Sequence, residues 1–233
     1  MRFLYSGIGF NIALCGLAIT NLAASAAPAP VTIGGSRSPS TMALSQSSTN
    51  TIIKGTGVEF AVPSGFQGGP PSSTDTKTIT DSAAKMFPSI ASFVKLLDAD
   101  PTFLRAIAIN TAQKDPEVVL ITRLPVPADV SIDALHDMMA KTLPSMLPPE
   151  FKLIDSKIDN IGTRQIVRLT IDADIQGSKF KESIGLFREG NEVFQVTYVY
   201  ANENLQQAIP IFEGIVTSFK AQPTTPAATT PQG

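Results

Sequence analysis

The sequence predicts an α+β domain in which an antiparallel β-sheet is flanked by helices on both faces. Apolar and polar residues alternate with a period of two through residues 163–201, and turn residues separate the alternating segments, as in an antiparallel meander. Apolar residues recur at helical spacing in residues 131–146 and 202–219. The stretch between two low-complexity segments is about 170 residues long, which suits a single core.

The chain begins with the three regions of a secretory signal peptide, in residues 1–26. Arg2 precedes an apolar run at residues 8–19, and small residues then lead to a cleavage site after Ala26 or the next alanine. The run is shorter than the ~20 residues that a membrane span needs. A leucine precedes Cys15, which disfavours a lipoprotein signal. We therefore expect export to a periplasm, a thylakoid lumen or the extracellular space.

Two segments have almost no bulky apolar residues and are predicted to be disordered, a Ser/Thr/Pro/Ala linker at 27–51 and a tail at 221–233. The single domain between them is 52–220. The net charge of -2, with both signs mixed along the chain, forms no basic stripe, so nucleic acid is not an expected partner. Because Cys15 is the only cysteine, neither a disulfide framework nor a thiolate metal site is expected. No cofactor is predicted.

The first half of the domain has the pattern of four strands and two helices. The strands are predicted at 57–62, 103–110, 118–124 and 151–158. A Gly/Pro/Ser-rich loop after the first strand leads to a helix that Asp81 caps and that runs through Leu97. Ser131 caps the second helix, which runs to about Met146 and is followed by two prolines.

A hairpin follows, and its turn residues predict its register. The first strand is 163–175, and Gly177 and Ser178 suit a two-residue turn with Gly in first position. This turn sets Asp174 opposite Lys181 as an ion pair on the polar face. A slip of one residue would exchange the apolar and polar faces.

The second hairpin is predicted to have a three-residue loop at 189–191, since Asn tolerates the left-handed conformation. The loop sets Leu186 opposite Phe194, which extends one apolar face across both hairpins. Glu182 then lies on that face opposite Tyr198. Because a buried carboxylate needs a partner or a proton, we expect a hydrogen bond to Tyr198 or a position near a sheet edge.

The last predicted element is a helix that packs on the sheet. Asn202 can cap it, and its apolar stripe is formed by Leu205, Ile209, Phe212, Val216 and Phe219. Pro210 interrupts the stripe, so either a kink or a fresh helix is expected there.

This order of elements resembles the PsbP-like superfamily of α/β/α sandwiches, which includes Mog-type and DcrB-like proteins. The opening GVEFAVPSGF is similar to the family's start, in which a strand ends in Pro and Gly before an aromatic residue. The close IFEGIVTSFK is similar to the family's final helix, which ends in Ser-Phe. The resemblance covers about residues 55–220. It implies an exported, non-enzymatic accessory or binding domain that assists a membrane protein complex such as photosystem II.

The polar face of the meander is the predicted partner-binding surface. We expect it to be formed by Arg168, Thr170, Asp172, Asp174 and Lys181, with Lys179 and Gln195 close by. An ordinary hydrated sheet face is the alternative interpretation of the same residues.

Two other functions are compatible with the pattern. A small hydrophobic ligand would need a cavity between helix and sheet, lined by Met138, Met139, Met146 and Phe212. The other function is that of a serine-dependent hydrolase, because Ser82 with Lys85 and Ser92 with Lys95 both match the Ser-x-x-Lys motif. The other motifs of that enzyme class do not accompany them in the sequence. His136 lies beside Asp133 and Asp137, a set that can collect a metal ion but that is more typical of a solvated helix face.

Overall fold

The computed structural model describes residues 50–86, 103–110, 112, 117–175 and 178–222 of the 233-residue chain. The strands in this part of the chain are β1 (Asn50–Lys54), β2 (Val58–Pro63), β3 (Phe66–Gly69), β4 (Leu104–Asn110), β5 (Glu117–Leu124), β6 (Phe151–Ile161), β7 (Arg164–Ile175), β8 (Ser178–Glu189), β9 (Glu192–Ala201) and β10 (Lys220–Ala221). The helices are α1 (Thr74–Met86), α2 (Ile132–Met146) and α3 (Leu205–Ser218), and a 3₁₀ turn (Asn202–Asn204) precedes α3.

The strands form two sheets, and each pairing is antiparallel. The large sheet has the order β3-β4-β5-β9-β8-β7-β6, and the small sheet has the order β1-β2-β10. The chain is therefore an α+β protein built mostly on antiparallel sheet, as predicted.

The buried apolar residues of the described part of the chain form two clusters. Along the same strands, alternate residues belong to alternate clusters. Ile166 belongs to the first cluster and Val167 to the second, and Phe194 and Val193 are divided in the same way. Successive residues of a strand point to opposite faces, so the clusters lie on opposite sides of the large sheet. The first cluster contains α3 residues Ala208, Phe212, Ile215 and Val216, and the second contains α2 residues Leu135, Met139 and Leu143.

The predicted elements of the first half are largely present, but two short strands there and one at the C-terminal end of the domain were missed. Strands β4 and β5 lie where the alternation placed them. The backbone amide of Ala134 donates to the Ser131 hydroxyl (3.1 Å), which confirms the predicted cap of α2. The missed strands are β1, β3 and β10, all of five residues or fewer, and β1 and β10 reach into the predicted linker and tail.

The predicted start of the first helix is wrong. Helix α1 begins at Thr74, and the backbone amide of Thr76 donates to the Ser73 hydroxyl (3.1 Å), so Ser73 supplies the cap instead of Asp81. The remainder of the predicted helix, to Leu97, lies outside the described residues.

The register of the first hairpin differs from the prediction by two residues. Ser178 is paired with Ile175 within the strands and is not a turn residue, and Lys181 lies opposite Asp172 instead of Asp174. A shift of two residues preserves the faces of a strand. The alternation of β7 was therefore predicted correctly although its partners were not.

The register of the second hairpin differs by one residue, and this error exchanges the faces of β9. Glu189 pairs with Glu192, so the loop has two residues, and Gly190 holds the left-handed conformation (φ 60°) that we had placed at Asn191. Leu186 therefore lies opposite Gln195 instead of Phe194. Phe194 joins the first core cluster whereas Leu186 belongs to the second.

A kink or a fresh helix was expected at Pro210, and of these two alternatives the fresh helix is not found, because α3 is continuous through this residue. Asn202 lies in the 3₁₀ turn that leads into α3 and does not cap the helix. The other end of α3 is held by Arg164 of β7, whose guanidinium donates to the carbonyls of Val216 (2.8 Å) and Phe219 (2.7 Å). The first strand of the meander therefore fixes the C-terminal end of α3.

Glu182 is buried in the core, with 4% of its surface exposed, and its neighbours are not those predicted. It lies opposite Val199 on one side and Ile171 on the other, so the expected pairing with Tyr198 is wrong. Burial raises the pKa of the Glu182 carboxyl from 4.5 to about 7. The protonated, neutral form is therefore the one that this apolar site stabilises.

Replacing Glu182 with Gln should flatten the pH dependence of stability between about pH 4.5 and about pH 7. Above pH 4.5 the unfolded chain releases this proton first, so the wild-type free energy of unfolding falls as the pH rises through 7, by about 3 kcal/mol in all. Urea unfolding at a series of pH values measures the slope. The exposed Glu203→Gln variant is the control and should keep the wild-type slope. Parallel wild-type and E182Q curves would contradict the assignment.

Candidate functional site at the polar sheet face

The predicted partner-binding residues lie on one face of β7 and β8, but they do not form one surface. Arg168 is largely covered, with 13% of its side chain exposed, because α3 lies over it. Its guanidinium contacts Asp159 (3.2 Å) and Glu213 (3.3 Å) and lies 5.3 Å from the centre of the Phe212 ring. This end of the polar face therefore holds α3 in place.

The other end of the face is accessible. Lys181 forms an ion pair with Asp172, and the side chain of Asp172 remains 45% exposed. Thr170 is half-buried between the two ends, whereas Asp174 and Lys179 are exposed and lie directly opposite each other on β7 and β8. Charged groups at this end can therefore meet a partner without any change in the fold.

A groove of about 310 Å³ lies at this accessible end. Its lining comprises Glu150, Lys152, Asp172, Ala173, Asp174, Lys179, Phe180 and Asn202. The backbone amide of Asp174 donates to the carbonyl of Glu150 (3.0 Å), which joins the loop before β6 to the sheet. The groove thus brings three carboxylates and two ammonium groups together with Ala173 and Phe180, on and beside three adjacent strands.

Two of the five predicted residues, Asp172 and Asp174, line this groove, and Arg168, Thr170 and Lys181 do not. Sequence reasoning missed Glu150, Lys152 and Asn202. Lys152 lies opposite Asp172 in the ladder between β6 and β7, so a correct register for that pair would have found it. Glu150 and Asn202 lie just outside strands, where alternation gives no signal.

Gln195 is not on the polar face, because the one-residue change of register moves it to the other side of the sheet. It is 2% exposed, and its side-chain amide donates to the Thr197 hydroxyl (2.9 Å). The prediction for Gln195 is therefore wrong, and the cause is the loop length of the second hairpin.

The predicted hydrophobic cavity is not formed by the residues proposed for it. Met139 belongs to the second core cluster, and Phe212 belongs to the first, on the opposite side of the sheet. Met146 is 37% exposed. These side chains cannot line one cavity, because the sheet lies between them.

The structure describes only some of the residues of the predicted Ser-x-x-Lys pairs, and it describes His136. Ser82 is exposed on α1, the side chain of Lys85 is not described, and Ser92 with Lys95 lies outside the described residues. The side chain of His136 is 23% exposed, so it is more buried than the solvated helix face that we predicted. Its Nδ1 lies 3.7 Å from a carboxylate oxygen of Asp137.

Among the described residues, no group of three or more His, Cys, Asp or Glu side chains is arranged to hold a metal ion. None of the helices in the same part of the chain is long and apolar enough to cross a membrane.

No protein-family model and no curated protein sequence matches the chain. Solved structures similar to it include the cyanobacterial PsbP (CyanoP) of Synechocystis sp. PCC 6803, at 12% identity and a TM-score of 0.47 over 78% of this chain and 98% of that chain. A Mog1 mutant is similar at 10% identity and a TM-score of 0.44, over 76% and 97% of the two chains. LpqN of Mycobacterium tuberculosis, involved in cell envelope biogenesis, has 12% identity and a TM-score of 0.41 over 76% and 93%.

The similar structures thus include a PsbP and a Mog1, two of the kinds of protein in the superfamily that the sequence resembles. All three TM-scores are below 0.5, so these similarities carry no conclusion about the function of the chain.

Replacing Arg168 with Met should lower the free energy of unfolding by about 1 to 2 kcal/mol, because Asp159 and Glu213 lose their shared cation and Phe212 loses its covering guanidinium. Chemical denaturation measures the loss. The exposed Asp174→Asn variant on the same strand is the control and should change stability by no more than about 0.5 kcal/mol. Equal effects of the two substitutions would show that Arg168 does not hold α3.

Proposed function

We propose that this chain is an exported accessory domain that binds a membrane protein complex through the mixed-charge groove, without chemistry of its own. The observation that carries the proposal is the groove, in which Lys152, Asp172, Asp174 and Lys179 present both signs of charge on three paired strands. Complementary charges on a partner surface fix orientation and increase the association rate. The predicted signal peptide at 1–26 supports export, and after its cleavage the predicted linker would remain as a flexible N-terminal arm before β1.

The architecture that we propose for the domain is the PsbP-like α/β/α sandwich, with α2 and α3 on opposite faces of the large sheet. The division of β7 and β9 between two core clusters, one containing α2 residues and the other α3 residues, supports it. The groove then lies beyond the end of α3 where the meander is uncovered.

The mixed charge of the groove favours a polar protein surface over a small apolar ligand. Phe180 and Ala173 are the apolar residues of the lining, and the carboxylates and ammonium groups beside them would lose hydration against a hydrocarbon without gaining partners. A protein surface with complementary charges replaces the lost hydration of these groups with hydrogen bonds and ion pairs.

The exchange of Asp174 and Lys179, in the double variant D174K/K179E, should abolish binding of the partner. The exchange keeps an opposite-charge pair across β7 and β8, so stability is preserved while the direction of the field in the groove is reversed. The wild type and the variant, tagged at Gly233, are used for affinity purification from detergent extracts and compared by quantitative mass spectrometry. We expect at least about a tenfold loss of the partner subunits.

The matched control is the exchange D137K/K141E on α2, where two exposed residues of opposite charge are four positions apart, away from the groove. It should recover the same subunits as the wild type. Photosystem subunits would identify a photosynthetic complex, and other envelope proteins would identify a different one. Equal recovery with all three proteins would exclude the groove as the binding surface.

A further inference from the structure

The large sheet ends at a long strand whose outer edge is open. Strand β6 pairs with β7 on one side, and no strand in the described part of the chain pairs with its other side. It has 11 residues, whereas β3 at the opposite end of the sheet has four. An edge of this length presents a row of backbone N–H and C=O groups that another strand can pair with.

Strand β6 carries two features that usually discourage such pairing, a bulge and charged residues. The bulge is at Ile154, between the pairs that Leu153 and Asp155 form with β7, and the ladder is regular from Asp155 to Ile161. The bulge therefore leaves most of the edge straight. Asp155 and Lys157 lie on this straight part, with side chains 49% and 51% exposed.

The order of these charges selects one way in which β6 can pair with itself. In a two-fold symmetric antiparallel pair, opposed residues point to the same face, so the axis must pass through a residue. An axis through Asp155 or Lys157 sets a charge opposite its own copy, which is unfavourable. An axis through Ser156 sets Asp155 opposite Lys157 of the second copy, and this occurs twice.

An axis through Ile158 is the remaining choice close to the centre of the strand, and it would set Lys157 opposite Asp159. Asp159 is already held by Arg168 at 3.2 Å, whereas Lys157 and Asp155 form an ion pair with each other at 3.5 Å and are about half exposed. The Ser156 register therefore leaves the ion pair between Arg168 and Asp159 intact.

We propose that β6 is a self-association surface, at which a second copy of this chain adds its own β6 antiparallel across Ser156 and joins the two large sheets into one. The proposal is independent of the function of the groove.

A buried hydroxyl supports this register. The Ser156 Oγ is buried and has no hydrogen-bond partner in the described part of the chain. On the two-fold axis it lies opposite the Ser156 hydroxyl of the second copy, and cross-strand hydroxyl pairs of this kind stabilise antiparallel strands. A single strand edge is a small interface, so we expect a weak, concentration-dependent dimer in the micromolar range.

Charge exchange between two variants tests the register directly. D155K sets two cations opposite each other, and K157D sets two carboxylates opposite each other, so each variant alone should remain monomeric in sedimentation velocity. Mixed in equal amounts, they should form a heterodimer, because each Asp155 or Lys157 position then meets its opposite charge. Purified wild-type protein should dimerise with rising concentration. A wild type that remains monomeric at all concentrations, or a mixture that fails to associate, would overturn the proposal.

A cysteine on the axis provides a second measurement that does not depend on charge. In a Cys15→Ser background, Ser156→Cys should form a disulfide-linked dimer on mild oxidation, because directly opposed residues lie about 4.5 to 5.5 Å apart at Cα. Asn160→Cys is the control, since the two copies of Asn160 lie at opposite ends of the paired segment, and it should remain monomeric on a non-reducing gel. Cross-linking of N160C and not of S156C would show that the strands pair in another register.

Discussion

The contact on which the rest of the structure depends is the one between Arg164 and the last turn of α3. The final carbonyls of a helix have no partners within it, and they form the negative end of the helix dipole. Arg164 donates to the carbonyls of Val216, Thr217 and Phe219 there, also pairs with Glu189 (3.0 Å), and lies over the rings of Phe187 and Phe219. One side chain thus joins β7, the second hairpin and α3, and fixes which end of the meander the helix covers.

This arrangement explains why a face that looks uniform in sequence divides into a structural part and an accessible part. Arg168 is four residues after Arg164 and also contacts α3, through Glu213 and Phe212. Asp172 and Asp174 continue the same face of β7 beyond the helix, so they are left for the groove. The alternation of polar residues identified the face correctly but contains no information on how far a helix from a later segment extends over it.

The elements that could be predicted are those with many repeats of a period, such as β5, α2 and β7. Strands β1, β3 and β10 are short, and β3 includes Gly68 and Gly69, so a two-residue period has too few members to be recognised. The registers failed for a different reason, since a Gly followed by a polar residue is compatible with several loop lengths. In the second hairpin, a difference of one loop residue decided whether Gln195 was in the core or on the polar face. The groove depended on contacts such as that of Asp174 with Glu150, which local sequence does not encode.

Because β10 pairs with β2, the domain cannot complete its fold until its C-terminal residues have been synthesised. Lys220 and Ala221 pair with Glu59 and Val58, and the Ser218 hydroxyl accepts a hydrogen bond from the Ala61 amide, across more than 150 residues of chain. The first cluster contains side chains of β2 and of α3, so its two halves are separated by nearly the whole domain. Until the last helix and β10 have been synthesised, the nascent chain therefore lacks one half of this core and cannot complete it.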